Sequence, residues 1–302
     1  MLTVPTGFNE AIAAGKPQRI LFAFDYLNTM VSNEDIDMDA GVDFHEIFCS
    51  ETDLTIGLTP SSEISFTLFN DTGYFSSFEF GAFDAYLGVL TGSVADSTAT
   101  QTGRPLIQVQ TANNTFTVSR NYRTETYTYI PLGRFIAPRP AVVDIKEIAV
   151  DANDQMTLFD EDMPTAQQLN ISYPITAGAM LTALCNYVGV TAASSTFLNS
   201  TMQLASEPDS FSTSTMREVI GWIAEVACAN ARFNRSGVLE LVWLQTTTAA
   251  YNEGNYTEYS PYWYAVPQID SLHVRNAEST TETTIGNGTN QYMIQGNPWL
   301  KG

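Results

Sequence analysis

Residues 62–68, SEISFTL, alternate strictly, with Ile64, Phe66 and Leu68 on one side and Glu63, Ser65 and Thr67 on the other. Period-two alternation is the pattern of a strand with one buried and one wet face. A chain containing it must build a sheet around an apolar interior. The same character recurs through the first half. RILFAF (19–24) is a β run. PLIQVQT (105–111) and TFTVSR (115–120) flank an Asn113-Asn114 turn and predict a hairpin. YTYIPLGRFIA (127–137) and VVDIKEIAV (142–150) follow as strands. Asn70-Asp71-Thr72-Gly73 predicts a turn, and Asp151-Ala152-Asn153-Asp154 another, leading into a strand at QMTLFD (155–160). Many short strands with Asn, Asp and Gly punctuation indicate an antiparallel barrel or sandwich.

The middle changes period. In 175–188, ITAGAMLTALCNYV, residues Met180, Leu181, Leu184, Tyr187 and Val188 recur at helical spacing, with Thr176 as cap and Gly189 as C′ glycine. A second helix is predicted over 215–231, with Thr215 and Glu218 as a capping box and Val219, Ile220, Ile223, Val226 and Ala227 as its apolar stripe. The turn Asn234-Arg235-Ser236-Gly237 then joins a hairpin over 231–244. Together these make a small α+β insertion in a mainly β chain. The segment 248–264 reads as a polar, Tyr-rich loop, and Asn287-Gly288 is a hairpin signal among the last strands. The chain stops at NPWLKG with no charged tail, the ending expected of an N-terminal region with more protein beyond it.

Charge narrows the function. The chain carries 13 Lys and Arg against 33 Asp and Glu, a formal net charge of −20, although only 15% of its 302 residues are charged. The acidity therefore reflects a shortage of basic residues, since about a quarter of an average protein is charged. Gripping nucleic-acid phosphates needs clustered Lys and Arg, and docking on anionic lipid needs the same. Both are disfavoured. Three scattered cysteines, with no CxxC, make neither a disulfide framework nor a zinc site. No stretch is apolar enough to span a membrane, and the N-terminus lacks the basic and apolar regions of a signal peptide.

Candidate chemistry is sparse. Asp35-Ile-Asp37-Met-Asp39-Ala-Gly41-Val-Asp43-Phe-His-Glu46 places carboxylates at positions 1, 3, 5, 9 and 12 of a calcium-loop pattern. The required glycine at position 6 is Ala40, however, and the flanks read as strands. A solvated acidic loop is the reading, with Asp35, Asp37, Asp39 and Glu46 as weak metal ligands. Asp151, Asp154, Asp160, Glu161 and Asp162 form a second acidic group, read as a solvated rim. The two histidines, His45 and His273, stand without any nucleophile motif, and no phosphate loop is present. No catalytic residue and no cofactor are expected. Tyr256, Tyr259, Tyr262, Trp263 and Tyr264 are the partner-contact candidates, since rings with polar tips suit protein partners and sugar faces.

Three segments carry a resemblance: DLTIGLTPSSEISFTLFNDTGYF (53–75); YPITAGAMLTALCNYVGVT (173–191) with STMREVIGWIAEVACANARFNRSGVLELVWL (214–244); and IGNGTNQYMIQGNPWL (285–300), a hairpin ending in Asn-Pro-hydrophobic. In this order they resemble the N-terminal hub region of bacteriophage or prophage tail baseplate and tail-associated proteins. The resemblance implies two tube-like antiparallel β-barrel domains plus a small helix-containing module. Residues 1–165 would be the first barrel, 166–250 the α+β module, and 251–302 strands completing the second barrel. It implies a homotrimer that closes the tail tube and joins the baseplate or tip, in the virion tail. The expected partners are a tail tube or distal tail protein, a tape-measure protein, and DNA passing without specific binding. Members often carry a C-terminal spike, lysozyme or peptidase extension; no cell-wall-degrading activity is expected of the present residues. The alternative is a β-rich adhesin reading a cell-surface glycan.

Overall fold

The computed structural model describes residues 4–47, 55–99, 103–138, 146–242, 271–275, 282–286, 291–292, 294 and 296–300. The fold is mainly β, with few helices. The chain divides into two compact units of non-consecutive segments. Residues 1–46, 62–155 and 234–237 form the first, and residues 47–61, 156–233 and 238–302 the second. Assigning domains along the sequence takes consecutive blocks instead.

In the first unit a short helix, α1 (Phe8–Ala13), precedes nine strands. These are β1 (Gln18–Phe24), β2 (Thr29–Ser32), β3 (Val42–His45), β4 (Glu63–Phe69), β5 (Ala82–Ala95), β6 (Leu106–Gln110), β7 (Thr115–Arg120), β8 (Arg123–Ile136) and β9 (Glu147–Asp154). They form one sheet in the order β2-β1-β5-β8-β9-β4-β3, with the β6–β7 hairpin attached to the first half of β8. Every pairing is antiparallel. The ladders end at β2 and β3. Beyond β2 the chain touches β4 as well. Ile36 bridges Leu68, the Asp37 amide donates to the Thr67 carbonyl at 2.8 Å, and the Phe69 amide donates to the Asp35 carbonyl at 2.8 Å.

The alternating residues of β4 behave as their pattern predicts: Ile64, Phe66 and Leu68 are buried. They join an aromatic core. Phe22 stacks on Phe66 at 4.1 Å between ring centres, and Phe83 meets Phe22, Phe24, Phe66 and Phe135 within 6 Å. Two sequence expectations are corrected here. Asp151–Asp154 is the end of β9 and not a turn, because Asp154 points inward in register with Ile148, Val150 and Ala152, and its carboxylate accepts from the Ser62 amide at 2.8 Å. Residues 155–159 are a 3-10 turn and not a strand. β5 lies next to β1 and β8 in the middle of the sheet and has no counterpart in the sequence expectation.

The second unit contains α2 (Ala177–Val188) and α3 (Met216–Val226) among short strands. These strands are β10 (Ile175–Thr176), β11 (Thr191–Ala192), β12 (Gln203–Leu204), β13 (Asn230–Phe233), β14 (Val238–Val242), β15 (Ser271–Arg275), β16 (Glu282–Gly286) and β17 (Gln291–Tyr292). Three small sheets result: β10-β12, β11-β14-β13 and β16-β15-β17. The hairpin expected through Asn287-Gly288 is corrected: β16 and β17 each pair with β15, which lies between them, and not with each other. Thr176 caps α2 by accepting from the Ala179 amide, and left-handed Gly189 ends it. Thr215 and Glu218 form the capping box of α3. The second helix stops at Val226, earlier than the apolar stripe predicts. Cys228 takes a left-handed φ of 55°, and the Ala231 amide pairs with the Leu58 carbonyl, which draws the chain into β13. Met180, Leu181 and Leu184 of α2 and Val219, Ile220 and Ile223 of α3 share one buried cluster.

The aromatic core makes a testable claim. Phe83→Ala should cost about 3–5 kcal/mol in chemical denaturation, while Phe69→Ala, at a side chain 41% exposed, should cost within about 0.5 kcal/mol.

Candidate functional site

Strands β3, β4 and β9 are adjacent, and apart from Asp154 their inward residues are apolar. Register then decides what the opposite face carries. Asp43 lies across from Ser65, which lies across from Asp151; His45 lies across from Glu63, which lies across from Asn153. Asp43, His45, Glu63, Ser65, Asp151 and Asn153 line a shallow cavity of about 270 Å³. Glu147 continues the outward row of β9. The four carboxylates are exposed, and no lysine or arginine occurs in these three strands. Coulomb repulsion from such a face disfavours a polyanion approaching it.

The calcium-like segment takes a different form. Asp35 accepts from the Ser32 amide at 3.2 Å and from Arg104 at 2.7 Å. Burial raises the Asp35 pKa, outweighing Arg104. Glu34 pairs with Arg19 at 2.6 Å and accepts from the Ser32 hydroxyl. Burial opposes the charge of Glu34, but those hydrogen bonds outweigh it and lower the pKa. Asp37 turns its carboxylate onto the amides of Asp39 and Ala40. Glu46 binds Arg235 at 2.6 Å. The four proposed ligands thus serve an arginine pair, a backbone turn, an exposed turn position and a second arginine pair. Among the described residues no group of three or more His, Cys, Asp or Glu is placed to hold a metal ion.

The second acidic group is also dispersed in role. Asp151 belongs to the exposed face, Asp154 is buried, Asp160 pairs with Arg217 at 2.9 Å, and Asp162 bridges Thr215. His45 is exposed on β3, and His273 on β15 lies 3.2 Å from the Thr284 hydroxyl. Tyr256, Tyr259, Tyr262, Trp263 and Tyr264 lie outside the described residues.

One constellation went unread in the sequence. In the second unit, Asn297 donates to the Trp222 carbonyl at 3.0 Å and to the Glu225 carboxylate at 2.6 Å. The Asn297 side-chain oxygen accepts from the Trp299 amide at 3.0 Å. Trp299 packs edge-on against Phe211 and Trp222. The Asn-Pro-Trp segment is thereby clasped to the last turns of α3. Burial pushes the Glu225 pKa up to about 7, against the opposing Asn297 hydrogen bond. Glu225 also fills the space above Gly57, whose φ of 85° and crowded Cβ position suit glycine. The visible signal was Asn-Pro-hydrophobic; its docking place on α3 was not readable.

No family model matches the chain, and no curated protein does. Among solved structures, the 43 kDa tail protein of prophage MuSo2 from Shewanella oneidensis is similar over 91% of this chain and 71% of that one, with 10% identity and a TM-score of 0.42. Among the described residues no helix is long and apolar enough to cross a membrane.

The clasp predicts a pH dependence. A carboxyl whose folded pKa is raised stabilises fully below its unfolded value and loses that contribution as pH rises through its folded value. Glu225 should therefore make the protein less stable between pH 5 and 8, by on the order of 1–3 kcal/mol. Melting curves across that range should slope for the native chain and flatten for Glu225→Gln, which keeps an acceptor for Asn297.

Proposed function

We propose that this chain is a structural protein of a phage-type tail. It would be a trimeric hub joining the tail tube to the baseplate or tip and forming part of the DNA conduit. The observation that carries the reading is the acidic face of β3, β4 and β9: Asp43, Glu63, Glu147 and Asp151 with no lysine or arginine on those strands. A conduit for DNA must not bind what passes through it, and bound phosphate would stall transit. A wall of exposed carboxylates keeps phosphates away at ordinary salt, within about a Debye length of 8–10 Å.

Two further features support the same reading. The segments that carry the resemblance become β4, the α2–α3 module, the β13–β14 hairpin and the clasped Asn297-Pro-Trp299 turn. The first unit is one antiparallel sheet whose crossing segment, Asp35–Asp37, hydrogen-bonds β4 beyond the end of β2. A tube-like closure of that sheet belongs to this proposal, as do the tail tube, distal tail and tape-measure partners. No enzymatic step is assigned.

Light scattering across a concentration range tests the assembly: a particle of three times the 33.2 kDa chain is expected. A monomer at every concentration that retains glycan on an array would favour the adhesin reading instead. The charge argument has its own test. Duplex DNA should not bind the native protein at 50 mM salt. The triple variant Asp43→Lys, Glu63→Lys, Asp151→Lys should bind it, and should release it as salt rises. Equal DNA binding by both proteins would overturn the conduit assignment of this face.

A further inference from the structure

The first unit gathers three of the chain's 13 basic residues at one place. Strand β7 points Phe116 and Val118 into the core, and the next residue of that row is Arg120. On β8 the row ending in the buried Tyr127 and Tyr129 begins with Arg123 and Glu125. The turn between them, Asn121 and Tyr122, has both φ values positive, at 51° and 57°, and sets Arg120 directly opposite Arg123. Arg19 of β1 completes a cavity of about 390 Å³ with Glu34, Val118 and Asn121.

The charges in this cavity do not balance. Glu34 is taken by Arg19 and the Ser32 hydroxyl. Glu125 accepts from the Tyr127 hydroxyl at 2.8 Å and stands 3.9 Å from Arg123, whose Nε also donates to the Ser93 hydroxyl. The Arg120 guanidinium makes no ion pair or hydrogen bond to any described residue, and its Nε is buried without an acceptor. The Nε of Arg19 is buried and unpartnered too. Like charges directly opposite on a ladder destabilise it, and a buried donor without an acceptor is costly. An anion between the arginines removes the first of these costs.

We propose that this pocket binds an oxyanion, a carboxylate or phosphate group, with Arg120 as the principal ligand and Arg123 and Arg19 flanking it. A guanidinium fork matches two oxygens of such a group at once. The assignment stands apart from the tail reading. The oxyanion has two available sources: a small anion from solution, or a carboxylate of a second copy of this acidic chain.

Titration of the full chain with inorganic phosphate and with citrate, against sodium chloride at matched ionic strength, separates the sources. Arginine Nε–Hε resonances and the melting temperature report binding. If a small anion is the ligand, both readouts respond, and Arg120→Gln weakens binding by about tenfold or more, the loss of one charged hydrogen bond. Arg120→Lys keeps the charge without the fork and should fall between the two. If a second copy supplies the carboxylate, the titration is silent and sedimentation shows weaker self-association for Arg120→Gln than for the native chain. Circular dichroism confirms that each variant folds. No response to either anion together with unchanged self-association in Arg120→Gln would overturn the site.

Discussion

The pairing of β5 with β8, two strands of fourteen residues each, is the constraint on which the first unit rests. Its ladder shifts register between Ala85 and Tyr86, and again between Leu90 and Gly92. The first leaves Leu132 of β8 without a partner across the ladder, and the second leaves Thr91 of β5 without one. Before the first bulge, Phe83 and Ala85 point into the phenylalanine core. After it, Val89 packs under α1 with Phe8 and Ala11, while Tyr86 and Leu90 join the cluster of Phe116, Tyr127 and Tyr129. One strand pair therefore serves three apolar clusters, and neither β1 nor β7 could be placed without it. Gly88 is part of the same economy: a side chain there would run into the Phe116 ring, 2.5 Å from the Cβ position.

The shortage of basic residues is sharper in the structure than in the composition. Arg19, Arg104, Arg134, Arg217, Arg232 and Arg235 each face a carboxylate of their own unit. Such exposed or half-buried pairs contribute little stability individually. Their consequence is spatial. Arginines spent on fixing loops and strand ends cannot neutralise the outer face of β3, β4 and β9, and among the described residues Asp43, Glu63, Glu147 and Asp151 are in none of these pairs.

What could be read from the residues was local chemistry. The caps of α2 and α3 were legible because Thr176, Gly189, Thr215 and Glu218 act on their own backbone turns. β4 was legible because nothing interrupts its alternation. β5 was not, since the extra residue Thr91 and two glycines, Gly88 and Gly92, break its period. The carboxylates of Asp151 and Asp154 imitate a turn, whereas one is held inside by the distant Ser62 amide. The calcium-like segment misleads for the same reason: Arg104 and Arg235, 69 and 189 residues away, claim Asp35 and Glu46. The acidic face needed strand register, which brings Asp43, Ser65 and Asp151 side by side from three separate stretches.

The pairing of residues 57 and 58 with the start of β13 has a consequence for how the protein is made. The Gly57 amide donates to the Ala229 carbonyl, the Leu58 carbonyl accepts from Ala231, and the Leu58 amide donates to the Asn230 side chain 172 residues later. On a ribosome adding about 5–20 residues per second, this stretch waits on the order of ten seconds or more for its partners. During that interval Ile56, buried in the finished second unit, has no core to enter. The strands on either side, β3 and β4, pair with each other in the finished fold. The second unit therefore completes this part of its core only after α3 and β13 have been made.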